Sequence, residues 1–238
     1  MTKIDILTIF PEYFTEVFDF GIIRRAREAK IVEIKVHDLR EYTTDKHRKV
    51  DDRPFGGGEG MVMKCEPIFR AVEDMLGTSS KSEYPPGTKV ILLTPQGTPL
   101  EQNLVRRFAD ECGRMVVICG RYEGVDERVS EALVTDEISI GDYVLSGGEP
   151  AALVLTDALV RLLPEALGNV ESAEKESFSD GVFDYPNYTQ PRNFRGLEVP
   201  EVLLGGNHAE IDEWRRNRAL EKTKRIRKDL FEGAESDE

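Results

Sequence analysis

Apolar and polar positions alternate most sharply in the middle of the chain, where three short apolar runs each end in a turn of glycine and polar residues. Val90-Ile91-Leu92-Leu93 runs into Thr94-Pro95-Gln96-Gly97, and Met115-Val116-Val117-Ile118 runs into Cys119-Gly120-Arg121-Tyr122-Glu123-Gly124. Ile138-Ser139-Ile140 runs into Gly141-Asp142-Tyr143-Val144-Leu145-Ser146-Gly147-Gly148. Short β-rich runs bounded in this way predict buried parallel strands with loops at their carboxyl ends. In open α/β sheets that edge is where ligands bind. Three such loops within about sixty residues predict a pocket lined by backbone rather than by charged side chains.

Around this centre the pattern predicts a strand over 3–10 and a helical stretch from Pro11 to Lys30, interrupted at Gly21, then a second strand over 31–36. Residues 38–63 are polar and glycine-rich and predict a long loop, of a length that is usually functional or disordered. Helices are expected over 67–76, 100–111, 125–133 and 149–163, the last closed by Pro164. Strands alternating with helices predict an α/β domain with a mainly parallel sheet over 1–164. Residues 165–195 turn acidic and then rich in Pro, Asn and Tyr, which predicts an interdomain linker. From 196 to 238 the chain predicts a small helical domain, strongest over 209–231.

Composition narrows the classes. No apolar stretch approaches a membrane span and no leader precedes the first strand, so a cytoplasmic protein is expected. Cys65, Cys112 and Cys119 lack C-x-x-C spacing, against both a disulfide framework and a zinc site. The net charge of −13 argues against a nucleic-acid partner until its distribution is considered. Residues 214–228 hold eight basic side chains against Glu221 alone, giving +7 locally and −20 for the remainder. Such a patch, including Arg215 and Arg218, is what a polyanion responds to.

Neither a dinucleotide fingerprint nor a phosphate-binding P-loop is present. Gly56-Gly57-Gly58-Glu59-Gly60 follows a polar stretch instead of a strand, and is open between a hinge and an anion-facing loop beside His47, Lys49 and Arg53. Arg161 sits among Leu, Val and Ala on an apolar helix, either snorkelling at its end or fixed to recognise an anion. Trp214 fits packing between helices better than base stacking. The acids Glu171, Glu174, Glu176, Asp180 and Asp184 fit a solvated face, with one of them able to act as a general base if the segment folds over a pocket.

Several long strings resemble one family across nearly the whole chain and in the same order. They are 37–40 (His-Asp-Leu-Arg), 43–58 (from Thr43 through Asp51-Asp52-Arg53-Pro54-Phe55 to Gly58), 119–126 (Cys-Gly-Arg-Tyr-Glu-Gly-Val-Asp), 140–149 (Ile-Gly-Asp-Tyr-Val-Leu-Ser-Gly-Gly-Glu) and 206–211 (Gly-Asn-His-Ala-Glu-Ile). The chain resembles the bacterial tRNA (guanine-N1)-methyltransferases of the SPOUT superfamily. That resemblance implies an α/β domain whose C-terminal part threads into a trefoil knot, a small all-helical C-terminal domain, and a homodimer with its active site at the subunit interface. It also implies S-adenosylmethionine as cofactor, a magnesium requirement without a locatable ligand cluster, and tRNA as partner.

Carried over by position, the resemblance assigns the cofactor loops to Leu93, Thr94, Pro95, Gln96 and Gly97; to Gly120, Tyr122 and Glu123; and to Ile140, Gly141, Asp142, Tyr143, Val144, Leu145, Gly147 and Gly148. It assigns RNA contacts to His47, Asp51, Arg53 and Gly58, and makes Arg161 the functional arginine. The implied reaction is methyl transfer to N1 of the guanosine at position 37 of tRNA, next to the anticodon. Its base is usually an aspartate followed by Ser-Phe; here that position is Glu176, before Ser177 and Phe178. Glu59 and Gln190 also depart from the family pattern, which favours proline and arginine there. Two other readings are an RNA methyltransferase of the same superfamily with a different target, and an inactive RNA-binding homologue.

Overall fold

The computed structural model describes residues 1–166, 177–178 and 181–232. Its chain divides into two compact units, Met1–Gly168 and Asn169–Glu238. The first unit is built on a five-stranded sheet. Its strands are β1 (Thr2–Thr8), β2 (Val32–Asp38), β5 (Thr88–Pro99), β6 (Arg114–Cys119) and β7 (Asp136–Ser139), in the order β2-β1-β6-β5-β7, and every neighbouring pair is parallel. β3 (Asp51–Asp52) and β4 (Val62–Met63) form a small separate antiparallel pair.

Strand periodicity explains how both faces are covered. Side chains alternate between the two faces of a strand. Ile91, Leu93, Met115, Val117 and Cys119 therefore join one apolar layer with Ile4 and Ile6, covered by α1 (Gly21–Glu28), α3 (Gln102–Glu111) and α5 (Glu149–Val160). Val90, Leu92, Val116 and Ile118 join the opposite layer with Leu7, covered by α2 (Cys65–Leu76) and α4 (Glu127–Ala132). Strands buried on both sides read as unbroken apolar runs, which is why β5 and β6 stand out in the sequence. Among the described residues no helix is long and apolar enough to cross a membrane.

Three local expectations are corrected. The stretch 11–30 is not one helix: two 3-10 turns, Pro11–Phe14 and Val17–Asp19, precede α1, and Gly21 opens that helix at φ +59°, a conformation glycine adopts without steric cost. Thr94–Gly97 is not a free loop. β5 continues through it to Pro99 with a register shift, so that Ile138 of β7 is opposite both Leu93 and Thr98. The polar stretch 38–63 is tied down by a 3-10 turn over Leu39–Tyr42, the β3–β4 pair, and the Lys64 N–H bonded to the Val50 carbonyl at 2.8 Å.

In the second unit α6 (His208–Ile226) buries Ile211, Ala219 and Thr223. Residues 183–188, expected within a linker, lie along this helix in the opposite direction. The Phe183 N–H donates to Thr223 Oγ1 at 2.9 Å, Tyr185 lies under the Arg215 guanidinium, and Tyr188 meets Trp214 at 6.3 Å between ring centroids. Trp214 thus packs within its unit. A short antiparallel pair, β8 (Asn193–Phe194) with β9 (Leu197–Glu198), accompanies the helices.

One buried cluster makes the first unit sensitive to acid. Asp5, 3% exposed, takes a hydrogen bond from Arg114 Nε at 2.9 Å and stands 2.8 Å from His37 Nε2. Burial by itself would raise the Asp5 carboxyl; the bonds from His37 and Arg114 outweigh it and hold the group below its ordinary value. A depressed folded value means that the stabilisation is present above the unfolded carboxyl value and is lost as pH falls through the folded one. Asp5→Asn is expected to cost about 2 kcal/mol at neutral pH. Its stability should then fall less steeply than the wild type's below about pH 4. Urea unfolding at a series of pH values measures both; parallel curves for the two proteins would remove Asp5 from the account.

Candidate active site

The strand ends set the site. Leu93 is in register with Cys119 on one side and with Ile138 on the other, and Leu7 pairs with Ile118. The ends of β1, β6 and β7 and the Leu93 position of β5 therefore reach one level, and three segments of the central part of the chain depart from regular pairing there. After β6 it enters residues 120–124, after β7 residues 140–148, and β5 carries the bulge over 94–97.

These segments touch through backbone. A side chain on Gly120 would come 3.5 Å from the Leu93 carbonyl oxygen, and one on Gly148 would stand 2.8 Å from Cys119 Cα. The Gly148 N–H donates to the Gly120 carbonyl at 2.9 Å. A Cβ on Gly97 would collide with the backbone of Glu137 and Ile138. Gly141, at φ +150°, occupies backbone space that only glycine uses freely, and its carbonyl accepts from Ser139 Oγ at 3.1 Å and from the Tyr143 N–H at 2.9 Å. The result is a cradle of N–H and C=O groups, with Tyr122 and Tyr143 half exposed at its rim. Burial pushes the Cys119 thiol well above its ordinary value, so this cysteine is an inert part of the floor.

An ion pair joins the segments. Arg121 Nε donates to Glu149 Oε2 at 3.0 Å and its Nη1 donates to the Ser146 carbonyl at 3.0 Å. Glu149, fully buried at the start of α5, takes the Thr8 hydroxyl on its other oxygen at 2.7 Å. The polar 38–63 segment is held against the same loop: the Glu123 N–H donates to the Met61 carbonyl at 3.0 Å and the Met63 N–H to the Gly124 carbonyl at 2.9 Å.

The family model described as "tRNA (Guanine-1)-methyltransferase TrmD" matches residues 2–233. The chain belongs to the TrmD family. Curated relatives named tRNA (guanine-N(1)-)-methyltransferase include those of Koribacter versatilis, 53% identical over 98% of this chain and 93% of theirs, and Moorella thermoacetica, 55% identical over 96% and 90%. The relative from Bacillus cereus is 51% identical over 98% of this chain and 93% of its own.

Within this TrmD-family chain, the positions expected to hold the cofactor come together: Leu93–Gly97, Gly120, Tyr122, Glu123 and Ile140–Gly148 all lie on the three converging segments. Four of those expected to meet RNA lie on the 38–63 segment, whose Met61 and Met63 are bonded to the 120–124 loop. His47 is exposed in a turn where Asp45 Oδ1 accepts its N–H at 2.9 Å; Asp51 is half-buried in β3; Arg53 is exposed; and Gly58, at φ +121°, is in open space. Phe55, beside them, is fully exposed.

Arg161 is placed elsewhere. It closes the C-terminal end of α5, half-buried, with Gly148 capping the other end. A twelve-residue helix at 1.5 Å per residue separates the two ends by about 18 Å. Glu176 lies outside the described residues, as does Asp180. Arg215 and Arg218 lie on α6, Arg215 with its guanidinium 4.4 Å from the Tyr185 ring centre and Arg218 paired with Glu221 at 2.7 Å. Among the described residues no group of three or more His, Cys, Asp or Glu could hold a metal ion, so nothing in them locates the magnesium that the resemblance implied.

Sequence reasoning missed Thr8 and Glu149. Thr8 carries no motif signal, being one residue of an ordinary strand. Glu149 could have been found: an acid just after Gly147-Gly148 at the start of an apolar helix is a charge that needs a partner.

Proposed function

We propose that this protein transfers a methyl group from S-adenosylmethionine to N1 of the guanosine at position 37 of tRNA. The observation that carries the cofactor part is the meeting of three glycine-containing segments at one strand-end level, where backbone groups can grip a nucleoside and a methionine moiety closely. A knotted threading of these segments is what the resemblance to the superfamily implies. S-adenosylmethionine supplies the methyl group when bound.

The remaining work falls to side chains. N1 of guanine carries a proton, which must leave as the N1–carbon bond forms and the carbon–sulfur bond breaks. Glu176 is assigned as the base that takes it, with Asp180 as the substitute. Arg161 is assigned to the charge that develops on guanine O6. The length of α5 between Gly148 and Arg161 favours a site composed across two copies of the chain, with the cofactor loops of one copy facing Arg161 of the other. Exposed apolar side chains on this unit, Phe10, Tyr13, Phe20, Val144 and Val154, favour the same homodimer. The reading also implies a cytoplasmic enzyme, where tRNA is modified.

A tRNA transcript with guanosine at position 37 tests the reading. Methyl transfer is expected with it and not when that guanosine is replaced. Transfer that survives replacement gives the enzyme another target, and cofactor binding without transfer to any tRNA makes it an inactive homologue. For the RNA surface, Arg216 and Arg218 are exposed along α6 within the basic stretch. Arg216→Glu with Arg218→Glu is expected to weaken tRNA binding and to reduce the slope of log K against log salt by about 1 for each phosphate no longer neutralised. An unchanged slope would return this helix face to plain solvation.

A further inference from the structure

We propose that Glu149 is the positioning residue of the cofactor site, acting through Arg121 to hold the 120–124 and 140–148 segments at the separation that S-adenosylmethionine requires. The proposal rests on the reading of those segments as the cofactor loops.

Glu149 divides its two oxygens between different parts of the fold. Oε1 accepts the Thr8 hydroxyl at 2.7 Å, and Thr8 Oγ1 in turn accepts the Phe10 N–H at 3.0 Å, tying in the chain that leaves β1. Oε2 accepts from Arg121 at 3.0 Å and 2.9 Å through Nε and Nη2. The third arm of the same guanidinium reaches across to the Ser146 carbonyl, and its face lies 4.5 Å from the Phe10 ring centre. Gly147 is the floor for this side chain: a Cβ there would overlap Arg121.

A planar guanidinium whose donors are spent on a helix-bound acid and a loop carbonyl fixes the distance between them. Glu149 is itself fixed, because it starts α5, where an anion is favoured by the helix N-terminus, and because it is fully buried. Neither group has to touch the cofactor. Together they set where the touching backbone stands, and small displacements of such groups are costly.

The test compares the full-length wild type with E149Q, R121M and the double variant, measuring S-adenosylmethionine affinity by calorimetry and KM and kcat with tRNA. In E149Q the amide oxygen can still accept from Arg121 with its nitrogen toward the Thr8 hydroxyl oxygen, so the volume is kept while the charge that holds the pair is lost and the pair loosens. Its Kd and KM for S-adenosylmethionine are expected to rise about tenfold or more, with kcat at saturating cofactor within about threefold of wild type. The double variant is expected to bind no worse than the poorer single one, since each change removes the same link. E149D, which keeps the charge but shortens the arm, should also raise Kd, and it carries the test if E149Q does not fold.

Wild-type affinity in E149Q or E149D would overturn the proposal. So would a loss of Tm and active fraction with KM unchanged, the mark of a merely structural pair, or additive effects in the double variant. If the wild type itself does not bind S-adenosylmethionine, the reading of the loops fails rather than the role of Glu149.

Discussion

Glu176→Gln is expected to lower the rate of methyl transfer to tRNA by about 10²- to 10⁴-fold, the range a positioned general base contributes. S-adenosylmethionine affinity should stay near the wild-type value, because the backbone cradle over 93–97, 120–124 and 140–148 does not include residue 176. The amide keeps the shape of the side chain but cannot take the N1 proton, so the loss separates proton removal from positioning. Glu176→Asp restores the residue the family usually carries and shortens the arm by one methylene; it is expected to keep turnover within about tenfold of wild type. Single-turnover transfer at saturating cofactor is the measurement. Full activity in the Gln variant would move the base to Asp180, where Asp180→Asn would then show the loss.

Gly148→Ala is expected to cost the enzyme its cofactor, raising the Kd for S-adenosylmethionine by about 100-fold, together with about 2 kcal/mol of stability. The backbone there is ordinary, φ −79° and ψ −8°, so alanine meets no conformational strain. The whole effect comes from space: the new methyl would stand 2.8 Å from Cys119 Cα and 3.1 Å from the Gly120 nitrogen. Both are main-chain atoms, which cannot rotate away as a side chain would. The two segments must separate, and the Gly148 N–H bond to the Gly120 carbonyl opens with them. Gly113→Ala is the matched control, with nothing within 4 Å of its Cβ, and should change stability by less than about 0.5 kcal/mol. Equal behaviour of the two variants in calorimetry and thermal melts would mean that the loops tolerate spreading.

Much of this site is legible in the sequence, for one reason. Val90–Leu93 and Met115–Ile118 are covered on both faces, so their burial leaves an uninterrupted apolar signature, and Gly120 and Gly141 mark where the chain turns out of the sheet after β6 and β7. Residues 94–97 read as a turn because Thr-Pro-Gln-Gly carries the chemistry of a loop. Pairing with β7 overrides that local preference and keeps the strand going to Pro99. Residues 183–188 read as linker because Asp-Tyr-Pro-Asn-Tyr has no period; what orders them is the side of α6, through Thr223, Arg215 and Trp214.

The α/β class, the three strands followed by glycine turns or bulges, and the family can all be read from local pattern or long contiguous strings. Packing in three dimensions is what puts Leu93, Cys119 and Ile138 at one level, brings Thr8 and Arg121 together on Glu149, and sets Arg161 a full helix away from Gly148. Those are facts about residues up to 141 positions apart in the chain. Local propensity carries no information about such distances; they are set by strand register and by which buried charge finds which partner.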